Sequence, residues 1–368
     1  MKKVLAILLA MVLMLAMFTG CAKDEPVSEP DPTPAAPVDT PEDKPEDNQP
    51  EEPKVNPATD GYPKKNITIV VPSSAGSGYD TMARKAAEIL PKYLGNDVIV
   101  YVENLKASNG AEGWTKVYGA NPDGYTLVFH GAANPWVVQE IYEFPYDIAE
   151  LTALCTVTDE VGQIMCAPDS EIQTFADFVE KYKDSDEVPV FATTGAGQAT
   201  QTQAIAVLAA VGIEARYVNY GGTGEAVGAL ERGECEFMYL AYDTALSYLE
   251  SGMARSIVIT GPERQEAFPD VPTIFEIDAI SEEDAQEIAL ITTSHRAMWA
   301  PPGMDAELAA LIADACEKTF TDPEYIEWAA SIGRKVAFTG GEEAAAKIQA
   351  TFEAQKPYLD LFKAAIEG

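Results

Sequence analysis

Ile67-Thr-Ile-Val-Val-Pro-Ser73-Ser74-Ala75-Gly76-Ser77-Gly78 and Val188-Pro-Val-Phe-Ala-Thr193-Thr194-Gly195-Ala196-Gly197-Gln198 are built to one plan. A short apolar run enters a loop of small residues, and a helical pattern follows. Each loop would present backbone N–H groups at a helix start, beyond the carboxyl end of a strand. Open α/β sheets bind ligands there, and anions find ready donors there.

Outward from these two stretches the alternation continues. Helical patterns run from about Asp80 to Leu94, Glu112–Tyr118, Phe175–Tyr182, Thr200–Val211, Gly224–Arg232 and Ala245–Leu249. Strand patterns lie between them at Val98–Val102, Thr126–His130, Glu214–Val218, Cys235–Leu240 and Ser256–Thr260. Two long amphipathic helices are expected at Ala306–Phe320 and Gly341–Lys363. Strands alternating with helices predict an α/β fold, with parallel sheets covered on both faces.

The 368 residues carry 59 acidic and 25 basic side chains, a formal charge of −34. Such a chain lacks the basic face that replaces counterions on phosphate, so nucleic acid is excluded as a partner. The two histidines, His130 and His295, are too few for a His-rich metal site. Apolar residues make up 47%, enough for a sizeable core.

The first sixty residues read differently. Lys2 and Lys3 precede an apolar run from Val4 to Phe18, which has the length of a signal sequence rather than a membrane span. Phe18-Thr19-Gly20-Cys21 resembles a bacterial lipobox, which implies cleavage before Cys21 and acylation of its thiol. The alternative is an ordinary secretory signal with an incidental cysteine. Residues 22–60 hold ten prolines and twelve acidic residues. They cannot bury enough surface to offset their ordering entropy, so 21–60 is expected to be an extended tether.

Four further cysteines match no zinc spacing. Cys155 and Cys166 would face each other if Leu151–Val157 and Gly162–Ala167 formed a hairpin, and a disulfide is open to an exported protein. Four buried thiols is the other reading. Ser77 lacks the flanking glycines of a hydrolase elbow, with Ala75 and Tyr79 in their place. No phosphate-binding G-x-x-x-x-G-K-[ST] loop and no G-x-G-x-x-G run occurs. His130 ends a strand and could line a cleft. Donor-rich loops without a nucleophile or metal ligands describe a binding protein.

Five segments resemble, in order, the solute receptors of tripartite tricarboxylate transporters, the Bug family. They are Tyr62-Pro-x-Lys-x-Ile67 through Asp80-x-x-Ala83-Arg84, Asn121-Pro-Asp-Gly-Tyr-Thr-Leu127 and Tyr217-Val-Asn-Tyr-Gly-Gly222. Arg264…Phe268-Pro-Asp-Val-Pro-Thr273…Glu276 and Trp299-Ala-Pro-Pro-Gly303 complete the set. The resemblance implies a type II periplasmic-binding-protein fold, with two α/β lobes around a central ligand cleft and two crossovers between them. Residues 61–164 plus 288–368 would form lobe one, and 165–287 lobe two.

The resemblance further implies a non-enzymatic, monomeric receptor without a cofactor. It would be held to the membrane by its lipid anchor, take up a small organic acid and deliver it to membrane permease subunits. Carried over by position, the ligand contacts would be Ser73, Ser74, Ala75, Gly76, Ser77 and Asp80 in the first loop. Thr194, Gly195 and Gln198 would follow, then Gly222 and Thr223, then Asp243. Tyr79, Trp136 and Tyr242 are candidate apolar walls, with His130 a further contact. The chain departs from the family pattern at Gly76-Ser77, Gln198, Gln201, Gly221 and Lys106–Gly110. Those changes bear on which ligand is taken, and an amphoteric one stays open. An exported enzyme using Asp80 or Asp243, and a receptor feeding a sensor kinase, are the alternatives.

Overall fold

The computed structural model describes residues 56–95 and 97–367. The expected signal sequence, Cys21 and most of the tether lie outside the described residues. In chain order come β1 (Ile67–Val71), α1 (Gly78–Leu94), β2 (Val100–Asn104), α2 (Ala111–Tyr118), β3 (Thr126–Gly131), α3 (Ala133–Tyr142) and β4 (Thr152–Glu160). Next are β5 (Gly162–Cys166), α4 (Phe175–Tyr182), β6 (Val190–Thr193), α5 (Ala199–Val211), β7 (Arg216–Asn219), α6 (Thr223–Glu231), β8 (Phe237–Ala241), α7 (Tyr242–Glu250), β9 (Arg255–Ile259) and α8 (Glu282–Thr292). The chain closes with β10 (Ser294–Ala300), α9 (Ala306–Phe320), α10 (Pro323–Ser331), β11 (Thr339–Gly340), α11 (Gly341–Gln355) and α12 (Leu359–Glu367).

Two sheets result, ordered β11-β4-β10-β3-β1-β2 and β7-β6-β8-β5-β9. In the first, β1 runs parallel to β2 and β3, and β10 is antiparallel to both β3 and β4. In the second, β6 runs parallel to β7 and β8, and β5 is antiparallel to both β8 and β9. Five strands therefore match between the sheets, with β1 and β6 as equivalents, and β11 is an extra edge of the first; both sheets are mixed rather than parallel as expected, because the strands next to each crossover run against the others.

Alternation along each strand feeds both faces. Ile67, Ile69 and Val71 pack towards α1 and α9, while Val70 joins Trp114 and Trp299 on the opposite face. In the second sheet Phe191, Phe237 and Tyr239 face one layer, and Ala192, Met238 and Leu240 the other. Each large buried side chain contributes roughly 1.5–3 kcal/mol of transfer free energy, so both sheets are anchored from two sides.

The chain crosses between lobes at Val161, the single residue between β4 and β5. It returns at Thr293, between α8 and β10. Gly162 pairs with Ala241 at the carboxyl end of β8, and Arg296 pairs with Gly131 at the carboxyl end of β3. Both crossings thus occur where the parallel strands end, which sets the loops after β1, β3, β6 and β8 around one junction.

Several expectations are corrected. The 151–167 hairpin does not form, because β4 and β5 belong to different sheets. Cys155 and Cys166 sit in separate cores, and all four described cysteines are free and buried, so the reading of four buried thiols holds and the disulfide does not. The two apolar runs look alike to a period-based reading; their partners decide the outcome. Residues 162–164, expected in lobe one, pair within the second sheet. Ala285 and Ile288 of α8 pack in the second lobe's core, so residues 288–292 belong there too. Residues 56–60, expected in the tether, begin a docked turn: Asn56 Nδ2 donates to Asp305 Oδ1 at 2.9 Å and Glu307 Oε2 at 2.9 Å. The last helix breaks at Lys356–Tyr358, where Pro357 lacks the N–H a continuous helix needs.

Candidate functional site

The turn after β1 is shaped by its own side chains. Ser77 caps α1, its Oγ accepting from Asp80 N at 3.3 Å and lying 2.8 Å from Ser73 Oγ. Asp80 is buried and receives four donors. Oδ2 accepts from Gly76 N at 2.8 Å and Arg84 Nε at 3.0 Å. Oδ1 accepts from Asn104 Nδ2 at 2.9 Å and lies 2.9 Å from Arg84 Nη2. Burial pushes this carboxyl's pKa up, but the donors from Arg84, Gly76 and Asn104 outweigh it and hold it below the ordinary value. Ser74, Ala75 and Gly76 are exposed. The first-turn amides of Gly78 and Tyr79 meet no acceptor among the described residues, as expected of a helix start.

The same device recurs twice. Gly197 N donates to Gln201 Oε1 at 2.7 Å, and Gly221 N to Glu225 Oε2 at 2.9 Å. In all three turns a glycine amide is bonded by the side chain four residues on. Thr194 N donates to Thr200 Oγ1 at 2.9 Å, and Gly195 N to Thr193 Oγ1 at 3.4 Å. Tyr220 N donates to Thr193 O at 2.9 Å, tying the second and third turns together. The side chains of Gln198 and Thr223 make no hydrogen bond among the described residues, and neither Gln198 nor Gly222 caps its helix with a side chain.

The second turn is partly covered by the first lobe. Gly197 is buried against Ile366 and Val138, and Gln201 Nε2 donates to Ala365 O at 2.8 Å. Thr194, Gly195 and Gln198 stay half-buried.

Beside the first turn stands a charged cluster that the sequence reading missed. Tyr79 stacks on His130 at 4.0 Å between centroids, and the Arg296 guanidinium lies 5.0 Å from the Tyr79 ring. Arg296 Nη2 bonds Glu160 Oε2 at 2.8 Å and lies 3.6 Å from Asp243 Oδ2. Arg334 Nη1 bonds Glu160 Oε1 at 2.8 Å and also Asp243 Oδ2. A Cβ at Gly78 would stand 2.7 Å from Arg334 Nη2 and 2.9 Å from Arg296 Nη1, so the helix start needs glycine for the guanidiniums to approach. Burial, with Asp243 nearby and against the pull of both arginines, lifts the Glu160 carboxyl to about 7. Burial lowers His130 to about 4, with Arg296 acting in the same direction.

Glu160, Tyr242 and Asp243 also line a cavity of about 1170 Å³. His295, bonded to Asp159 Oδ1 at 2.8 Å, and Lys347, bonded to Asp159 Oδ2 at 2.9 Å, also line it. None of the residues of the glycine turns at 73–80 or 194–198 does.

Two equivalent sheets with donor turns at one junction are the architecture of a two-lobe binding protein. Over residues 82–361 the chain matches the family described as tripartite tricarboxylate transporter family receptor. It belongs to that family. A UPF0065 protein of Agrobacterium vitis, from the TAR-I ttuE-ttuC' intergenic region, is 28% identical to this receptor over 282 residues, 76% of this chain and 79% of that one. A TctC solute binding protein from Polaromonas superposes with a TM-score of 0.67 at 20% identity, over 83% of this chain and 99% of that one. MatC of Rhodopseudomonas palustris, solved with bound malate, gives 0.64 at 21% identity, over 83% and 100%.

The receptor's fold brings the first, second and third turns to one junction, and places Asp243 beside them. It removes Trp136, which is buried and stacked on Phe352 at 5.3 Å. Tyr242 is half-buried, with its ring edge-on to Phe268, 6.4 Å away. One signal was available in the sequence: the glycine-to-acceptor spacing of four repeats three times. Arg296, which follows Ser294 and His295 at the polar start of its strand, left no such trace, and neither did Arg334 or Glu160.

Proposed function

We propose that this protein is a lipid-anchored extracytoplasmic receptor. It captures a small carboxylate of the di- or tricarboxylate class and passes it to the permease subunits of a tripartite transporter. The observation that carries this reading is the pair of amides at Gly78 and Tyr79 that meet no acceptor among the described residues, at a helix start beyond a parallel strand, as in the two further turns with the same glycine bond. The ligand's carboxylates would take those amides, with Ser74, Ala75, Gly195, Gly222 and the side chains of Gln198 and Thr223 around them. Membership of the receptor family and the malate bound by a structural neighbour support an organic acid. Asp80 and Asp243, the candidate acids for an enzyme, are both committed to ion pairs.

The overall charge of −34 does not oppose this. Surface carboxylates beyond a Debye length of ~8 Å are largely screened. Four hydrogen bonds to a charged group and two helix starts give roughly 7–14 kcal/mol gross. Ordering and association remove several of these. Micromolar capture, about 8 kcal/mol net, then also needs lobe closure and apolar contact.

The test is thermal shift against a panel of mono-, di- and tricarboxylates and amino acids. At least one di- or tricarboxylate raises Tm, and Thr223→Trp removes that rise without lowering the ligand-free Tm. Absence of any shift across the organic acids overturns the assignment.

A further inference from the structure

We propose that Asp243 is a positioning residue that fastens the second lobe to the first, through the receptacle formed by Arg296, Arg334 and Glu160. Arg296 comes from β10, Arg334 from the segment after α10, and Glu160 from the end of β4, all in the first lobe. Asp243 alone comes from the second, in the first turn of α7. The four side chains are 6, 12, 9 and 8% exposed in the order Arg296, Arg334, Glu160, Asp243. Asp243 Oδ2 meets both guanidiniums, and its Oδ1 accepts from Thr244 N at 2.6 Å, which fixes the carboxylate's direction.

With Asp243 seated, its carboxylate faces both guanidiniums out of water, beside a Glu160 carboxyl that is ionised above about pH 7 and neutral below it. Separating the lobes leaves two guanidiniums against Glu160 alone. A carboxylate oxygen shared by two guanidiniums forms charge-assisted bonds that exist only when the lobes meet, so the cluster favours closure. Its other neighbours are also uncharged or already named: Tyr79 of α1 faces Arg296, and Met82 Sδ lies 3.2 Å from Arg296 Nη1. Glu160 also makes closure pH-dependent. The groups facing it are Arg296, Arg334 and Asp243, with the Tyr79 hydroxyl of α1 also within its field. Bringing Asp243 and the second lobe up raises its proton affinity, so closure takes up a proton and strengthens as pH falls through 7.

This proposal rests on the two-lobe fold and not on the identity of the ligand, and its test uses no organic acid. Its failure is therefore distinct from that of the receptor reading. Spin labels on exposed positions of the full chain, at Lys116 in the first lobe and Arg232 in the second, report the interlobe distance by pulsed electron resonance. Asp243→Asn lowers the closed-to-open ratio at least fivefold, Arg334→Gln does likewise, and the double variant falls no further than either. Asp243→Glu restores most of the closed population. A distance distribution unchanged in Asp243→Asn, or two effects that simply multiply, overturns the proposal. Should a variant fail to fold, the labelled wild type still decides: its closed fraction rises from pH 8.5 to pH 6, and a flat profile overturns the proposal.

Discussion

Asp80→Asn separates a loop-shaping carboxylate from a ligand-binding one. Each oxygen of Asp80 faces two donors, Gly76 N and Arg84 Nε on Oδ2, Asn104 Nδ2 and Arg84 Nη2 on Oδ1. An amide placed either way puts its nitrogen against two N–H groups, so two charged hydrogen bonds are lost. At roughly 1.5–3 kcal/mol each, discounted because the Arg84 side chain is half exposed, the expected loss is about 2–4 kcal/mol. Its pH dependence has a definite sign. The carboxyl is held below its ordinary value of 3.8, so its contribution is present above that pH and disappears as pH falls through the lower, folded-state value. Urea denaturation at pH 7 and pH 3.5 measures the loss. Amide exchange at Gly76 measures the turn, and should accelerate at least tenfold. A variant within 0.5 kcal/mol of wild type, with Gly76 exchange unchanged, would refute the assignment of Asp80 as the turn's organiser.

Glu160→Gln should stabilise the protein at pH 8 relative to pH 5. The wild-type carboxyl is lifted from 4.5 to about 7, so folding favours its neutral form, and the penalty on the ionised form grows between those values to about 3 kcal/mol. Denaturation at the two pH values reads the difference, and a pH-independent effect of the substitution would count against the buried carboxyl. Gly162→Ala should cost about 3 kcal/mol or more, because the new methyl would stand 1.6 Å from Tyr239 Oη. That hydroxyl is held by Thr260 Oγ1 at 3.2 Å and Thr292 O at 3.3 Å. A Tm within 2 °C of wild type would show that the crossover can rearrange.

Legibility followed locality. The strand-turn-helix plan at 67–78 and 188–198 is local, and the repeat was legible; β1 and β6 hold equivalent places in their sheets. The helix at Ala306–Phe320 is local too. What failed was long-range. Whether Gly162–Cys166 pairs with its sequence neighbour or with Phe237–Ala241 depends on partners some 75 residues away. Trp136 looks the same in sequence whether it walls a cleft or stacks on Phe352. The Arg296–Glu160–Arg334–Asp243 cluster draws on four distant segments, and no spacing rule joins them.

The three glycine amides bonded to Asp80, Gln201 and Glu225 bear on speed as well as shape. Each turn already holds an oxygen of its own, so a guest meets grooves that are formed beforehand and spends no binding energy folding them. Encounter should then be quick and nearly independent of which acid arrives. Discrimination between acids would fall to how long each one stays once the halves have come together.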